Sequence, residues 1–207
     1  MLRDISIALA AATPEWPGDT RFSCGWTMRL AEGASVNVSA FTTSPHVGTH
    51  ADAPLHVRDG AAGAHELPLA PFAGPARVLS VAGPPRELGA GDFAVLGGAR
   101  VERLLLRTGC SIAGGTFPVA WPVLSLGAVR ELLARGLRLL GVDAPSVDER
   151  ESKSLFVHHA LFDGGAFLLE NLDLRDVPDG TYDLIALPVK LSGLDAAPVR
   201  AALRPLS

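Results

Sequence analysis

Long apolar runs, blocks of like charge and paired cysteines are all missing from this sequence of 207 residues. No window approaches the roughly 18 uninterrupted apolar residues of a membrane span, although the mean hydropathy is positive. The net charge of −4 holds no basic run, which argues against a nucleic-acid groove or a polybasic membrane patch. Aromatics make up only 6% against 48% apolar residues overall, so a core of Leu, Val and Ala is expected. Cys24 and Cys110 are far apart and lack metal-type spacing, which predicts free thiols in a reducing compartment. The start, Met1 to Ile7, carries Asp4 and lacks the apolar stretch of a signal peptide, so a cytoplasmic protein is expected. There is no Gly-x-Ser-x-Gly elbow, and Ser146 and Ser154 have no base nearby in sequence; a serine hydrolase is poorly supported.

What is present is a series of short runs rich in Val, Ile, Leu and Phe between Gly and Pro clusters. Residues 5–9, 36–42, 76–81, 103–107, 137–142, 166–172 and 182–191 read as strands. Helical periodicity is clear in two places: after Ser125, an N-cap, with Leu126, Val129, Leu132 and Leu133 on one face up to Gly136, and over 152–162, closed by Gly164 and Gly165. Shorter helical turns are predicted at 92–97 and 198–203. Many strands and few helices in mixed order predict an α/β or α+β fold with a large mixed sheet. With no repeat, low-complexity tract or long linker, residues 1–207 read as one domain.

Chemistry concentrates between Ser44 and His56, where His46, His50, Asp52 and His56 fall within eleven residues. Pro45, Gly48 and Pro54 rule against a continuous helix there and predict a shaped loop following a strand that ends near Thr43. Imidazole nitrogens with a carboxylate suit Zn²⁺ or a similar borderline cation, making His46, His50 and Asp52 candidate ligands; the alternative is a polar loop whose histidines bond locally. A second cluster is His158-His159 on the later helix, followed by Glu170 in an otherwise apolar strand. If Glu170 shares an inward face with Leu168 and Leu172, its charge needs a metal or hydrogen bonds; otherwise it faces water on an edge strand. His159 points away from its neighbour and reads as a supporting or surface residue, and His65, with no motif around it, as structural.

The spacing His46-x-Gly-Thr-His50-x-Asp52-x-Pro-x-His56 resembles the signature of the cyclase-like metal-dependent amidohydrolases, and in particular their bacterial kynurenine formamidase branch. The segments Thr13 to Asp19 and Gly141 to Asp148, and His158 with Glu170 twelve residues later, extend the likeness over nearly the whole chain. The resemblance implies a swivelling β/β/α domain, a homodimer or higher homo-oligomer, and two Zn²⁺ per subunit, with Mn²⁺ as the alternative ion. It implies that His46, His50 and Asp52 bind one ion and His158 belongs to the other, with Asp52 and Glu170 bridging. His56 would then be the general acid/base, unless it is a third His ligand, and Trp16 would pack on the aromatic part of a small-molecule substrate. The implied reaction is hydrolysis of N-formyl-L-kynurenine to L-kynurenine and formate. Other readings are a related enzyme such as an isatin hydrolase, or a metal-binding protein without catalysis.

Overall fold

A computed structural model describes residues 1–81 and 83–206. In chain order the strands are β1 (Arg3–Asp4), β2 (Ser23–Met28), β3 (Val38–Thr42), β4 (His50–Asp52), β5 (Ala73–Ser80), β6 (Glu87–Leu88), β7 (Arg103–Arg107) and β8 (Val123–Leu124). Helix α1 (Leu126–Ala134), β9 (Leu139–Val142), α2 (Phe156–Asp163), β10 (Phe167–Leu169), β11 (Gly180–Ile185), β12 (Ala196–Pro198) and β13 (Ala202–Pro205) complete the series.

Seven strands form one mixed sheet in the order β1-β13-β11-β5-β7-β9-β10. The pairs β5–β7, β7–β9 and β9–β10 are parallel, while β11, β13 and β1 add antiparallel. Parallel strands covered on both faces read as continuous apolar runs. Leu104, Leu105 and Leu106 of β7 show this, all fully buried. Alternate side chains feed two cores: Leu104, Leu106, Leu140 and Leu168 meet α1 and α2, whereas Leu105, Leu139 and Leu169 meet Ile5, Phe72 and Leu172. The α/β class, the large mixed sheet and the scarcity of helices thus agree with the sequence pattern.

Helix α1 is capped as the sequence predicts, Ser125 Oγ accepting from the amide of Ala128 at 3.1 Å. Helix α2 starts four residues later than the periodicity suggested, because Leu155 adopts a left-handed backbone (φ 42°) and its amide donates to Ser152 Oγ. The turn predicted at 92–97 is present as a 3₁₀ helix, Ala90–Leu96. The turn predicted at 198–203 is absent. Those residues instead close β12 and open β13, with the Val199 amide donating to the Thr49 carbonyl at 3.0 Å. Residues 5–9 make only a bridge from Ser6 to Leu172, since the Ile7 amide is taken by Thr49 Oγ1. The strand expected over 182–191 ends at Ile185. Strand β2 was not anticipated: every residue of strands β2 and β3 is exposed, including Trp26, Met28, Val38 and Phe41, so no buried face imposes a period-two pattern.

Candidate metal centre and active site

Strand β4 is the meeting point. On one side its residue His50 exchanges backbone hydrogen bonds with Glu170, just past β10 (3.3 and 3.1 Å); on the other it pairs with β12, placing Ala196 opposite Asp52. The preceding turn needs Gly48, whose φ is +73° and whose added Cβ would stand 2.5 Å from Leu9 Cδ2. The histidine loop, the α2 histidine and the carboxylate just past β10 therefore converge. All five ligand candidates lie in one cluster with His56, and four are almost entirely buried: Asp52 at 0% exposure, His50 at 1%, His158 at 2% and Glu170 at 4%. Glu170 does not face water.

Within the cluster, Asp52 Oδ1 lies 3.1 Å from His46 Nδ1 and 3.2 Å from His50 Nε2, and Asp52 Oδ2 lies 3.2 Å from His158 Nε2. Glu170 approaches His158 Nε2 at 3.5 Å and His50 Nε2 at 3.6 Å. Each candidate His ligand has its other ring nitrogen engaged: His50 Nδ1 with the Gly48 carbonyl at 2.9 Å, His158 Nδ1 with Asp148 at 2.6 Å, and His46 Nε2 with Asp195 at 3.0 Å. Such outward partners fix ring orientation and leave the inward nitrogen for a metal.

A direct test of fit is the polar accounting. His50 Nε2 and Asp52 Oδ1 are buried and, though only 3.2 Å apart, neither meets a partner in hydrogen-bonding geometry, whereas buried polar atoms nearly always do. A cation between them would satisfy both. Ligand atoms of His50, Asp52 and Glu170 fall within 4.8 Å of one another, as do those of His46, Asp52 and His56. Nitrogen and carboxylate donors without thiolate suit a catalytic divalent ion.

The protonation pattern reflects the same crowding. Burial opposes charge on His46 and His158, yet the surrounding carboxylates outweigh it and hold both at about 10. Burial, reinforced by Asp52, pushes Glu170 up to about 7, while the three adjoining imidazoles overcome burial to keep Asp52 well below the usual carboxylate range. Burial and the neighbouring His46 and His158 lower the pKa of His56.

A cavity of about 290 Å³ opens onto the cluster, with Trp16, His56, Phe117, Leu155 and Asn171 among its walls. Trp16 stands edge-on to Phe117 and Trp121, with ring centres 5.5 and 6.0 Å away. His159 is only half-buried and lies outside this lining. Two carboxylates had no role assigned from sequence. Asp148 lies within the Gly141 to Asp148 segment quoted for the resemblance, but Asp195 had no local signal at all.

This cluster on this fold defines a hydrolase type of site whose donor set could hold a metal ion. The Cyclase family, described as "Putative cyclase", matches residues 3–149, and the chain belongs to that family. It is 43% identical to the kynurenine formamidase of Salinibacter ruber over 98% of this chain and 97% of that protein. Among solved structures, a potential metal-dependent hydrolase with cyclase activity superposes with TM-score 0.83 at 28% identity, over 98% of this chain and 96% of its own. Isatin hydrolase A from Labrenzia aggregata superposes with TM-score 0.85 at 22% identity, over 99% and 93%, a likeness of fold.

Proposed function

We propose that this chain hydrolyses N-formyl-L-kynurenine to L-kynurenine and formate, as a single domain spanning residues 1–207. The observation that carries the reading is the pair of buried atoms without a partner in hydrogen-bonding geometry, His50 Nε2 and Asp52 Oδ1, beside a cavity lined by Trp16 and His56. The likeness to a kynurenine formamidase over almost the full chain supports the substrate. His46, His50 and Asp52 would hold one ion and His158 the other, with Asp52 and Glu170 shared; two Zn²⁺ are the proposed complement, Mn²⁺ the alternative. Bound there, divalent cations supply Lewis acidity toward the formyl oxygen and make water a stronger nucleophile near neutral pH.

The protein's own groups do the rest. Trp16 offers its ring face to the aromatic part of the substrate, with Phe117 and Leu155 beside it in the cavity wall. As the water oxygen bonds to the formyl carbon and the C–N bond breaks, the departing aryl amine must gain a proton. His56, which lines the cavity, takes the proton released by the attacking water at Nε2 and hands that proton to the departing nitrogen, while the product acid ionises to formate.

The reading includes a homodimer, for which the exposed apolar hairpin β2–β3 is the surface a second copy would cover, and a cytoplasmic location, in keeping with the free Cys24 and Cys110. None of the helices among the described residues is long and apolar enough to cross a membrane. The test is a substrate panel on metal-defined protein. Rapid release of formate from N-formylkynurenine with slow opening of isatin supports the reading, the reverse preference favours an isatin hydrolase, and no turnover of any amide leaves a metal-binding protein.

A further inference from the structure

We propose that Asp195 is the positioning residue for His56: its carboxylate fixes which nitrogen of that ring carries the proton and aims the other into the cavity. This rests on the acid/base role given to His56 above and extends it to a residue that sequence reasoning did not single out.

The placement of Asp195 is set by backbone. It immediately precedes β12, and its carbonyl accepts from the Ala53 amide at 2.8 Å, while the preceding Leu194 carbonyl accepts from Ala64 at 2.8 Å. The His56 amide in turn donates to the Ala53 carbonyl at 2.9 Å. Asp195 and His56 are therefore anchored to the same residue, and the β4–β12 register that puts Ala196 opposite Asp52 holds both in place.

The side-chain contact follows. Asp195 Oδ2 lies 3.0 Å from His56 Nδ1. A carboxylate only accepts, so Nδ1 bears the hydrogen and Nε2 is the nitrogen left to exchange a proton with substrate. No other residue among the described ones hydrogen-bonds to the His56 ring, so its orientation depends on this contact. The same oxygen also receives His46 Nε2 at 3.0 Å, so one carboxylate ties the acid/base ring and a proposed metal ligand into a single rigid unit. His46 and His56 accordingly sit with ring centres 4.4 Å apart.

The test uses full-length, zinc-loaded protein as the parent and as Asp195→Ala, Asp195→Asn and Asp195→Glu, with metal content measured on each preparation. In Asp195→Ala, which also frees His46 Nε2 and should weaken zinc binding, kcat per zinc-loaded site on N-formylkynurenine, measured at saturating zinc, should fall about 10- to 100-fold, the scale of losing an orienting partner, with KM within roughly twofold. Asp195→Asn keeps a carbonyl acceptor and should recover part of the loss. Long-range ¹H–¹⁵N correlation spectra should show His56 as the Nδ1–H tautomer in the parent and not in Asp195→Ala. Unchanged kcat together with an unchanged tautomer in Asp195→Ala overturns the proposal, as does a fall in kcat that merely tracks metal loss. A parent without formamidase activity would sink the proposed function instead, and the tautomer spectra would still decide the role of Asp195.

Discussion

His158 Nε2 lies 3.2 Å from Asp52 Oδ2 although 106 residues separate them along the chain. The contact exists because β4 bonds to the end of β10 while α2 lies over the same end of the sheet. Removing Asp52 strips the one carboxylate that touches all three candidate His ligands. Asp52→Ala should bind zinc at least about 100-fold more weakly and lose turnover with it, because a charged ligand is gone. Elemental analysis after dialysis checks this.

Asp148 acts twice on the same element. Its Oδ1 accepts from the Val157 amide and its Oδ2 from the His158 amide, both at 3.0 Å, while Oδ2 also receives His158 Nδ1. It caps α2 and orients a candidate ligand with one group. Asp148→Ala should cost about 0.5–2 kcal/mol in stability, the value of a lost cap, and weaken metal binding by roughly 10- to 100-fold. Thermal melts of chelator-treated protein isolate the first effect, and zinc competition titration the second.

The metal-free centre should be pH-sensitive in a defined direction. His46 and His158 are raised from 6.5 to about 10, so the stability they contribute is complete below 6.5 and is lost as pH climbs through 10. Glu170, raised from 4.5 to about 7, acts with the same sign, since the folded form holds its proton where the unfolded chain has released it. Below pH 6.5 the lowered pKa of His56 acts with the opposite sign and offsets Glu170, so chelator-treated protein should melt at progressively lower temperature from about pH 6.5 to about 9.5, and zinc should flatten that slope by displacing the same protons. Calorimetry in two buffers of different ionisation heat should also register proton release on zinc binding at neutral pH.

Trp16 and His56 should separate binding from chemistry. Trp16→Ala, losing an aromatic face, should raise KM roughly tenfold or more with a smaller change in kcat. His56→Ala should retain metal and lose about 10²- to 10⁴-fold in kcat. Steady-state kinetics with metal content measured in parallel distinguishes the two. A metal-depleted His56→Ala would make it a ligand, consistent with its grouping beside His46 and Asp52.

The centre was legible in sequence where its residues are crowded along the chain. His46, His50, Asp52 and His56 share one loop, and Glu170 stood out as a charge in an apolar strand. Asp195 was invisible, because its role comes from the β4–β12 register and nothing in the turn around Gly193 marks it. The sheet strands were legible where both faces are buried, as in β7. They were missed where no face is buried, as in β2, or where side-chain oxygens such as Thr49 Oγ1 replace ladder partners, as at Ile7. Helix α2 began late because Leu155 breaks the turn in a conformation that β-carbon sterics make rare and periodicity does not reveal.

The most direct measurement removes metal with a chelator, verifies its absence, and adds zinc back while following formate release from N-formylkynurenine. The account predicts no activity in stripped protein, recovery that levels off near about two ions per chain as a two-metal site requires, and no recovery in Asp52→Ala. Verified metal-free protein that turns over as fast as the zinc-saturated form would contradict it.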